Sequence, residues 1–380
     1  MIRVLTCTLC LTHDCTLRCN YCYAGRKYRH AMTQETAQKA IDICLAEAKR
    51  VGRGLDLSFF GGEPLLEWEL LQWCYTYLES RKEGLIVPPR YGLTTNGTLL
   101  SAERLAWLTE RDFLIGISID GSPTMHNTNR CYADGSGSHT AVARALALLD
   151  AHPTARTKAI CVVTPNNVKH LAEGVEWLAA HFHREIGLNI DYWSPWTDEQ
   201  FDTLCEQYRA VAAQVLQSYR NGTPIRLSNI DHKILSHIHS EENAHNCTQC
   251  TIGEREIGVT VDGNFFPCSR LVGIGDEAEL NFGNVNDGIN RARQEWIIAT
   301  RGNTTPACKL CELRERCVNS CGCTNHAASG HINQVSPFLC CSEKFFIETA
   351  DELAGTLYEE QNPHFLKLFY HTSPLDAAEA

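Results

Sequence analysis

Fifteen of the 20 cysteines in this chain of 380 residues crowd into three stretches, 7–22, 247–268 and 308–341. A chain of this length buries enough core to need no disulfide staples. The opening apolar run Met1–Thr12 is broken by Thr and Cys and lacks a small-residue cleavage site, so it reads as a buried first strand rather than a secretion signal. Reduced thiols in the cytoplasm are therefore expected, and clustered reduced thiols bind metal or do chemistry. The isolated cysteines Cys44, Cys74, Cys131, Cys161 and Cys205 fit the plainer role of small buried hydrophobes.

Hydrophobic residues make up 44% and charged residues 21% of the chain, enough for a sizeable core. A formal net charge of −11 argues against a nucleic-acid partner, whose phosphates require clustered Lys and Arg. No apolar run reaches the roughly 18 residues that suggest a membrane span. Over residues 1–195 the pattern predicts strands at 3–11, 55–60, 91–95, 114–119, 159–163 and 188–192. Helices are predicted between them at 33–50, 66–81, 102–109, 139–150 and 168–180. Six strands alternating with helices read as an α/β fold with a parallel sheet. A complete eight-fold barrel takes about 250 residues, so a partial, open-sided (β/α)6 barrel is the expectation.

Residues 196–245 are expected to hold a bridging helix (197–220) and a linker, with His232, His237, His239 and His245 as solvated linker residues. Residues 246–346 are rich in Gly, Asn and Cys, with too small a core to fold without metal. Residues 347–380 continue a helix predicted at 345–357 and end in a frayed tail.

Cys15-Thr-Leu-Arg-Cys19-Asn-Tyr-Cys22 places three thiols on the loop after the first strand. In α/β barrels that end of the strand is the active face. Three thiolates are one short of the set that closes a cubane iron–sulfur cluster or a structural zinc site, so one metal position stays open. This C-x3-C-x2-C element resembles the signature of the radical S-adenosylmethionine (SAM) superfamily. The resemblance implies a [4Fe–4S] cluster on Cys15, Cys19 and Cys22, SAM chelated to its unique iron, and cleavage of SAM to a 5′-deoxyadenosyl radical that abstracts hydrogen. Gly61-Gly62-Glu63-Pro64, after the second strand, resembles the family's GGE motif at the SAM amino group. Ile117-Ser118-Ile119-Asp120-Gly121, after the fourth, resembles its SAM-contacting segment, with Ser118 and Asp120 alternating onto one face. By the same resemblance Arg130 could pair with the SAM carboxylate and Tyr21 lie at the adenine. A solvated surface Arg and simple loop packing are the plainer alternatives. Asn96, at the end of the third strand, is equally a SAM contact or an ordinary Asn-Gly turn.

Cys250-x12-Gly263-x4-Cys268, preceded by Cys247, and Cys308-x2-Cys311-x5-Cys317-x3-Cys321, followed by Cys340, resemble the SPASM extension of radical SAM maturases. The resemblance implies two auxiliary [4Fe–4S] clusters, one on Cys247, Cys250, Cys268 and Cys321, the other on Cys308, Cys311, Cys317 and Cys340. That gives three clusters in all. Two zinc sites are the alternative by spacing alone, and Cys341 rivals Cys340. If all eight thiolates ligate, neither auxiliary cluster keeps an open iron, and an electron-acceptor role is implied.

Three functions are consistent with these motifs. The first is a maturase that remodels or cross-links side chains of a ribosomal precursor peptide, through thioether or carbon–carbon bonds. The second is anaerobic sulfatase maturation, the oxidation of Cys or Ser to formylglycine. The third, a non-enzymatic electron-transfer protein, leaves Gly61–Glu63 and Asp120 without a task. Sulfatase maturases carry a basic Asp directly after the cysteine of the G-x4-C element, where this chain has Ser269, a poor base unaided. The first reading is therefore preferred, with a peptide or protein substrate and a flavodoxin- or ferredoxin-like reductant. Asp191, Tyr192 and Asp262 are candidate bases that nothing in the sequence separates. With 14 residues before Cys15, recognition is expected to use the barrel and SPASM surfaces, a separate partner, or no long leader.

Overall fold

A computed structural model describes residues 4–238, 250–273, 279–302 and 304–370. The chain runs β1 (Val4–Cys10), α1 (Gln34–Arg50), β2 (Gly54–Phe60), α2 (Trp68–Arg81), β3 (Arg90–Thr95), α3 (Ala102–Glu110) and β4 (Leu114–Ser118). It continues with α4 (Pro123–Asn127), α5 (His139–Asp150), β5 (Arg156–Val163), α6 (Leu171–His181), β6 (Glu185–Ile190), α7 (Asp198–Arg220) and α8 (Ser228–Ile238). Then come β7 (Glu256–Val259), β8 (Phe265–Phe266), β9 (Gly283–Asn284), β10 (Gly288–Ile289), α9 (Arg291–Thr300), α10 (Pro306–Lys309), α11 (Gly322–Ser329), α12 (Pro337–Glu359) and α13 (Pro363–Phe369). Contacts divide these into two compact units, and one of the points where the chain passes between them falls within β5.

The first unit comprises residues 1–119, 130–158 and 251–302. Its strands lie in the order β4-β3-β2-β1-β7-β8. β1 to β4 pair in parallel as expected, and β7 adds in parallel on the free side of β1. β8 runs antiparallel, as a hairpin with β7, and β9 and β10 pair antiparallel as a separate two-stranded sheet. The last four residues of β1, Cys7–Cys10, are all buried, as a central strand covered on both faces requires. α1 starts where Thr33 Oγ1 accepts the Thr36 N–H at 3.1 Å. The isolated Cys44 and Cys74 are fully buried, the plainer of their two roles.

Glu47 ties α1 to α9. It is 5% exposed and accepts hydrogen bonds from the guanidinium groups of Arg50 and Arg291 at 2.5–2.8 Å. Burial pushes its carboxyl up, but the two arginines outweigh burial and bring it to about 2. An unfolded Glu titrates near 4.3. The stabilisation is thus complete above that pH and is lost as pH falls through about 2. Both arginines are partly exposed, so it is worth about 1–2 kcal/mol. Glu47→Gln is expected to flatten the decline of stability between about pH 5 and 2, measured by urea unfolding. An unchanged pH profile would remove this assignment.

The second unit comprises residues 120–129, 159–250 and 303–380. β6 lies beside β5, whose burial alternates strictly, with Thr157, Ala159, Cys161 and Val163 inward. The expected strand at 188–192 lies earlier, at Glu185–Ile190, because the Asp191 carboxylate turns the chain by accepting from Trp193 N at 3.0 Å and Ser194 Oγ at 2.6 Å. The bridging helix appears as α7, opened by a capping box of Thr197 and Gln200. The expected linker contains α8 instead. Its buried face includes Asp231 and Lys233, which broke the apolar periodicity. His232 and His237 are exposed as expected, but on this helix; His239 and His245 lie outside the described residues. The helix expected at 345–357 is the 23-residue α12, begun by Ser336 as cap and Pro337. Among the described residues no helix is long and apolar enough to cross a membrane.

Candidate functional site

The loop after β1 carries Cys15, Cys19 and Cys22, all half-buried. Its path is fixed by the chain it lies against. Arg18 N donates to Cys131 O at 2.7 Å, Leu17 bridges Tyr132, and Thr12 bridges Ala31. The same 130–132 segment brings Arg130 over the Tyr21 ring at 5.2 Å from its centroid. Arg130 is 5% exposed, so the solvated-surface alternative fails.

The Gly-Gly pair faces the cysteine loop itself. Gly62 N donates to Thr12 O at 2.7 Å and Glu63 N to Asp14 O at 2.8 Å. A Cβ on Gly62 would lie 1.9 Å from Asp14 O, and Gly61 sits at φ +123°. Both positions thus demand glycine. Glu63 is fully buried. Its Oε1 accepts from Leu65 N at 3.1 Å and Thr95 Oγ1 at 2.6 Å, and its Oε2 from Asn96 N at 2.8 Å. Burial pushes its carboxyl up against those three bonds. Four lone-pair sites minus three donors leave one acceptor position.

Asn96 forms the expected turn and also reaches the cysteine loop. Its Oδ1 closes the turn with Thr98 N at 3.0 Å, while Nδ2 donates to Thr16 Oγ1 at 3.0 Å and approaches Cys15 Sγ at 3.5 Å. Leu17 N lies 3.4 Å from the same sulfur. Burial raises the Cys15 thiol, and the Leu17 N–H opposes that rise. Thr95 and Thr16, which complete the chain of bonds from Glu63 to Cys15, were not anticipated. Their only sequence signal was adjacency to Asn96 and Cys15.

Ser118 ends β4, half-buried. In the second unit Asp120 is fully buried, its Oδ1 accepting from Val162 N at 2.8 Å and its N–H donating to His126 Nδ1 at 3.2 Å. Asp191 is spent on its turn. The Tyr192 hydroxyl, raised by burial, faces Ser342 Oγ at 3.4 Å. In the first unit the Asp262 carboxylate, largely exposed, bonds His30 Nε2 at 2.7 Å. Ser269 N donates to Glu256 Oε1 at 3.0 Å.

Cys268 follows β8 in the first unit. Cys250, Cys308, Cys311, Cys317, Cys321 and Cys340 belong to the second and are half-buried. Cys247 lies outside the described residues. Cys341 is exposed where Cys340 is not. Cys323 is 5% exposed, with its sulfur 3.5 Å from that of Cys321. Among the described residues no three His, Cys, Asp or Glu side chains form the ligand set of a single metal ion. A cubane distributes its thiolates over different irons, so its ligands stand further apart than those of one ion. The N–H groups at Cys15 Sγ suit a sulfur carrying negative charge, and on that chemistry the first loop fits an iron–sulfur group.

Comparison with known proteins agrees with this layout. The family model described as the radical SAM superfamily matches residues 9–207. A cysteine-type anaerobic sulfatase-maturating enzyme of Clostridium perfringens is 32% identical over 168 residues, 41% of this chain and 43% of that protein. The match thus spans less than half of that relative. Native anSMEcpe with bound AdoMet and Cp18Cys peptide superposes with a TM-score of 0.76 at 20% identity, covering 93% of this chain and 99% of that one. SuiB of Streptococcus suis bound to the precursor peptide SuiA gives 0.62 at 13% identity, covering 90% and 76%. At these identities the structures show a shared fold.

Proposed function

We propose that this chain, which belongs to the radical SAM superfamily, is a maturase acting on a peptide or protein substrate to leave an oxidative modification such as a thioether or carbon–carbon cross-link. The observation that carries the proposal is the bonded chain Glu63–Asn96–Thr16 that reaches Cys15. It joins the Gly-Gly-Glu turn to the three-thiol loop through the Asn96 backbone N–H and side-chain amide. Cys15, Cys19 and Cys22 would hold a [4Fe–4S] cluster, which with SAM supplies a 5′-deoxyadenosyl radical. The remaining acceptor site on Glu63 suits an ammonium donor. Gly61 and Gly62 keep that carboxylate against the loop, and Arg130 and Tyr21 offer a cation and a ring to the other parts of SAM. Asn96 would steady the sulfur of Cys15. Ser118 and Asp120 complete the set of contacts.

The two auxiliary clusters belong to the same proposal, on Cys247, Cys250, Cys268 and Cys321 and on Cys308, Cys311, Cys317 and Cys340, within a SPASM segment at 246–346 that follows a radical SAM segment at 1–195. The burial of Cys340 relative to Cys341 supports the former as ligand. They would take the electron that a two-electron oxidation must shed after hydrogen abstraction, and a flavodoxin- or ferredoxin-like protein would supply the first electron. Peptides bound to two proteins of the same fold support a peptide substrate here.

Formylglycine formation is the second reading, favoured by the better superposition on anSMEcpe. Against it, Ser269 stands where that group carries its basic Asp. Reconstituted enzyme with SAM, dithionite and peptides encoded beside the gene separates the two by mass. Loss of two hydrogens per cross-link is the expected result. Conversion of Cys or Ser to an aldehyde would establish the second reading, and no 5′-deoxyadenosine from iron-replete enzyme would overturn both.

A further inference from the structure

The sheet of the first unit has two unlike faces. On one, Cys7, Leu9, Leu57, Leu93 and Ile257 are buried, and α1 packs on β1. The register places Thr6, Thr8, Ser58, Gly92 and Glu256 together on the other. All of these but Thr8 are half-buried. A parallel sheet covered on both sides is apolar on both. A polar, part-open face instead lines a space that a substrate can enter.

Glu256 carries the carboxylate of this face nearest to Cys268. Its Oε1 accepts from Thr8 Oγ1 at 3.1 Å and from Ser269 N at 3.0 Å. Thr8 lies two residues before the end of β1, from which the chain runs into the three-thiol loop. Ser269 directly follows Cys268, and the turn they open lies over the same face. A Cβ on Gly258, the next residue of β7 on that face, would stand 2.7 Å from the Val272 side chain and 3.1 Å from Cys268 O. Glu256 therefore stands between the strand that feeds the three-thiol loop and the residue after Cys268. Two donors among the described residues leave it two of four acceptor positions. The other carboxylates of the first unit near this face are more heavily engaged. Glu63 takes three donors in its own turn. Asp56 is gripped by the Arg90 guanidinium at 2.6–3.1 Å. Asp262 is 61% exposed and bonded to His30.

We propose that Glu256 is the base that takes the proton released when the substrate is oxidised. The proposal rests on reading the chain as a maturase and adds the residue that its reaction needs. Joining R–H and X–H of a peptide into R–X sheds two hydrogens. One leaves as a hydrogen atom to the 5′-deoxyadenosyl radical. The other leaves as an electron, to an iron–sulfur cluster, and a proton, to Glu256. The R–X bond forms as the R–H and X–H bonds break, and charge balances. A base must lie within hydrogen-bond reach of the proton it takes. A peptide lying along the polar face brings its X–H group to the open side of this carboxylate. Ser269 is a poor base unaided, and the carboxylate bonded to its N–H supplies what its own side chain lacks.

The test uses reconstituted full-length enzyme with SAM, dithionite and the peptide encoded beside the gene. Iron content, 5′-deoxyadenosine and modified peptide are measured together. Glu256→Gln keeps an acceptor for Thr8 and Ser269, so iron content and 5′-deoxyadenosine formation are expected to match wild type. Modified peptide per 5′-deoxyadenosine is expected to fall about a hundredfold. If Gln prevents folding, Glu256→Asp, which draws the charge back by one methylene, is expected to lower the same ratio about tenfold or more at full iron content. A merely structural role would lower iron and 5′-deoxyadenosine and leave that ratio alone. An unchanged ratio, or both variants losing iron, overturns the role of Glu256 while the maturase reading stands. Wild-type enzyme that makes no 5′-deoxyadenosine, or leaves the peptide unmodified, overturns the maturase reading and this assignment with it.

Discussion

Gly62→Ala is expected to destabilise the first unit by about 3–5 kcal/mol and to prevent assembly of the cluster proposed for its thiol loop. The new methyl group would stand 1.9 Å from Asp14 O, 2.7 Å from Asp14 C and 2.9 Å from His13 O. All three are backbone atoms, so no rotamer change relieves the clash. Either the turn after β2 or the loop after β1 must move. Moving either breaks the bonds from Gly62 N to Thr12 O and from Glu63 N to Asp14 O. With them goes the register that lets Glu63 reach Thr95 and Asn96 and lets Asn96 reach Cys15. Thermal melting would show the stability loss, and iron analysis after reconstitution would show about four fewer irons per chain. Gly355→Ala is the control. That glycine lies within α12 with nothing within 4 Å of the added atom, and Ala there is neutral or mildly stabilising. A Gly62→Ala protein that melts and loads iron like wild type would refute the account of this turn.

The role of Gly62 also marks how far the sequence could be read. Its spacing after a strand was legible, and so was the need for a close approach there. That the close neighbour is the backbone of residues 12–14 was not, because contact between two loops leaves no periodic signal. Apart from the short α4, the strands and helices of residues 4–181 were legible from their apolar runs and periodic faces. Their ends were displaced where a side chain closed a turn, as Asp191 does after β6. α8 escaped because Asp231 and Lys233 occupy inward positions. Their partners, Arg226 on one side and Glu343 on the other, are five and 110 residues away. A charge at a core position reads as solvent-facing until its partner is known. Likewise β7 pairs with β1 across some 250 residues, and neither strand alone announces the other. Of the candidate site, the residue types and their order were visible, and the bonds that couple them came only with the fold.

Glu343→Ala is expected to destabilise the second unit by about 3–5 kcal/mol, the cost of leaving a buried charge without its partner. The carboxylate is 4% exposed. Its Oε2 accepts from Lys233 Nζ at 2.6 Å and from Val318 N at 2.7 Å, and Lys233 also donates to Arg316 O at 2.9 Å. One side chain of α12 therefore fixes both α8 and the turn that carries Cys317. Removing it strands the Lys233 ammonium and a backbone N–H together. At roughly 2–4 °C per kcal/mol for a unit of this size, the melting point should fall by about 6–20 °C. The double replacement Lys233→Met with Glu343→Leu removes both charges and fills their space. It is expected to recover most of that loss, since apolar substitutes for a buried pair are often neutral or better. The double variant still lacks an acceptor for Val318 N. Its stability should therefore return while retention of iron by the auxiliary cluster proposed to include Cys317 stays below wild type. A single variant within about 1 kcal/mol of wild type would show that water reaches Lys233 and that the pair is not buried in solution. Recovery of both stability and iron in the double variant would show that α12 packing alone, without the bond to Val318, sets the position of Cys317.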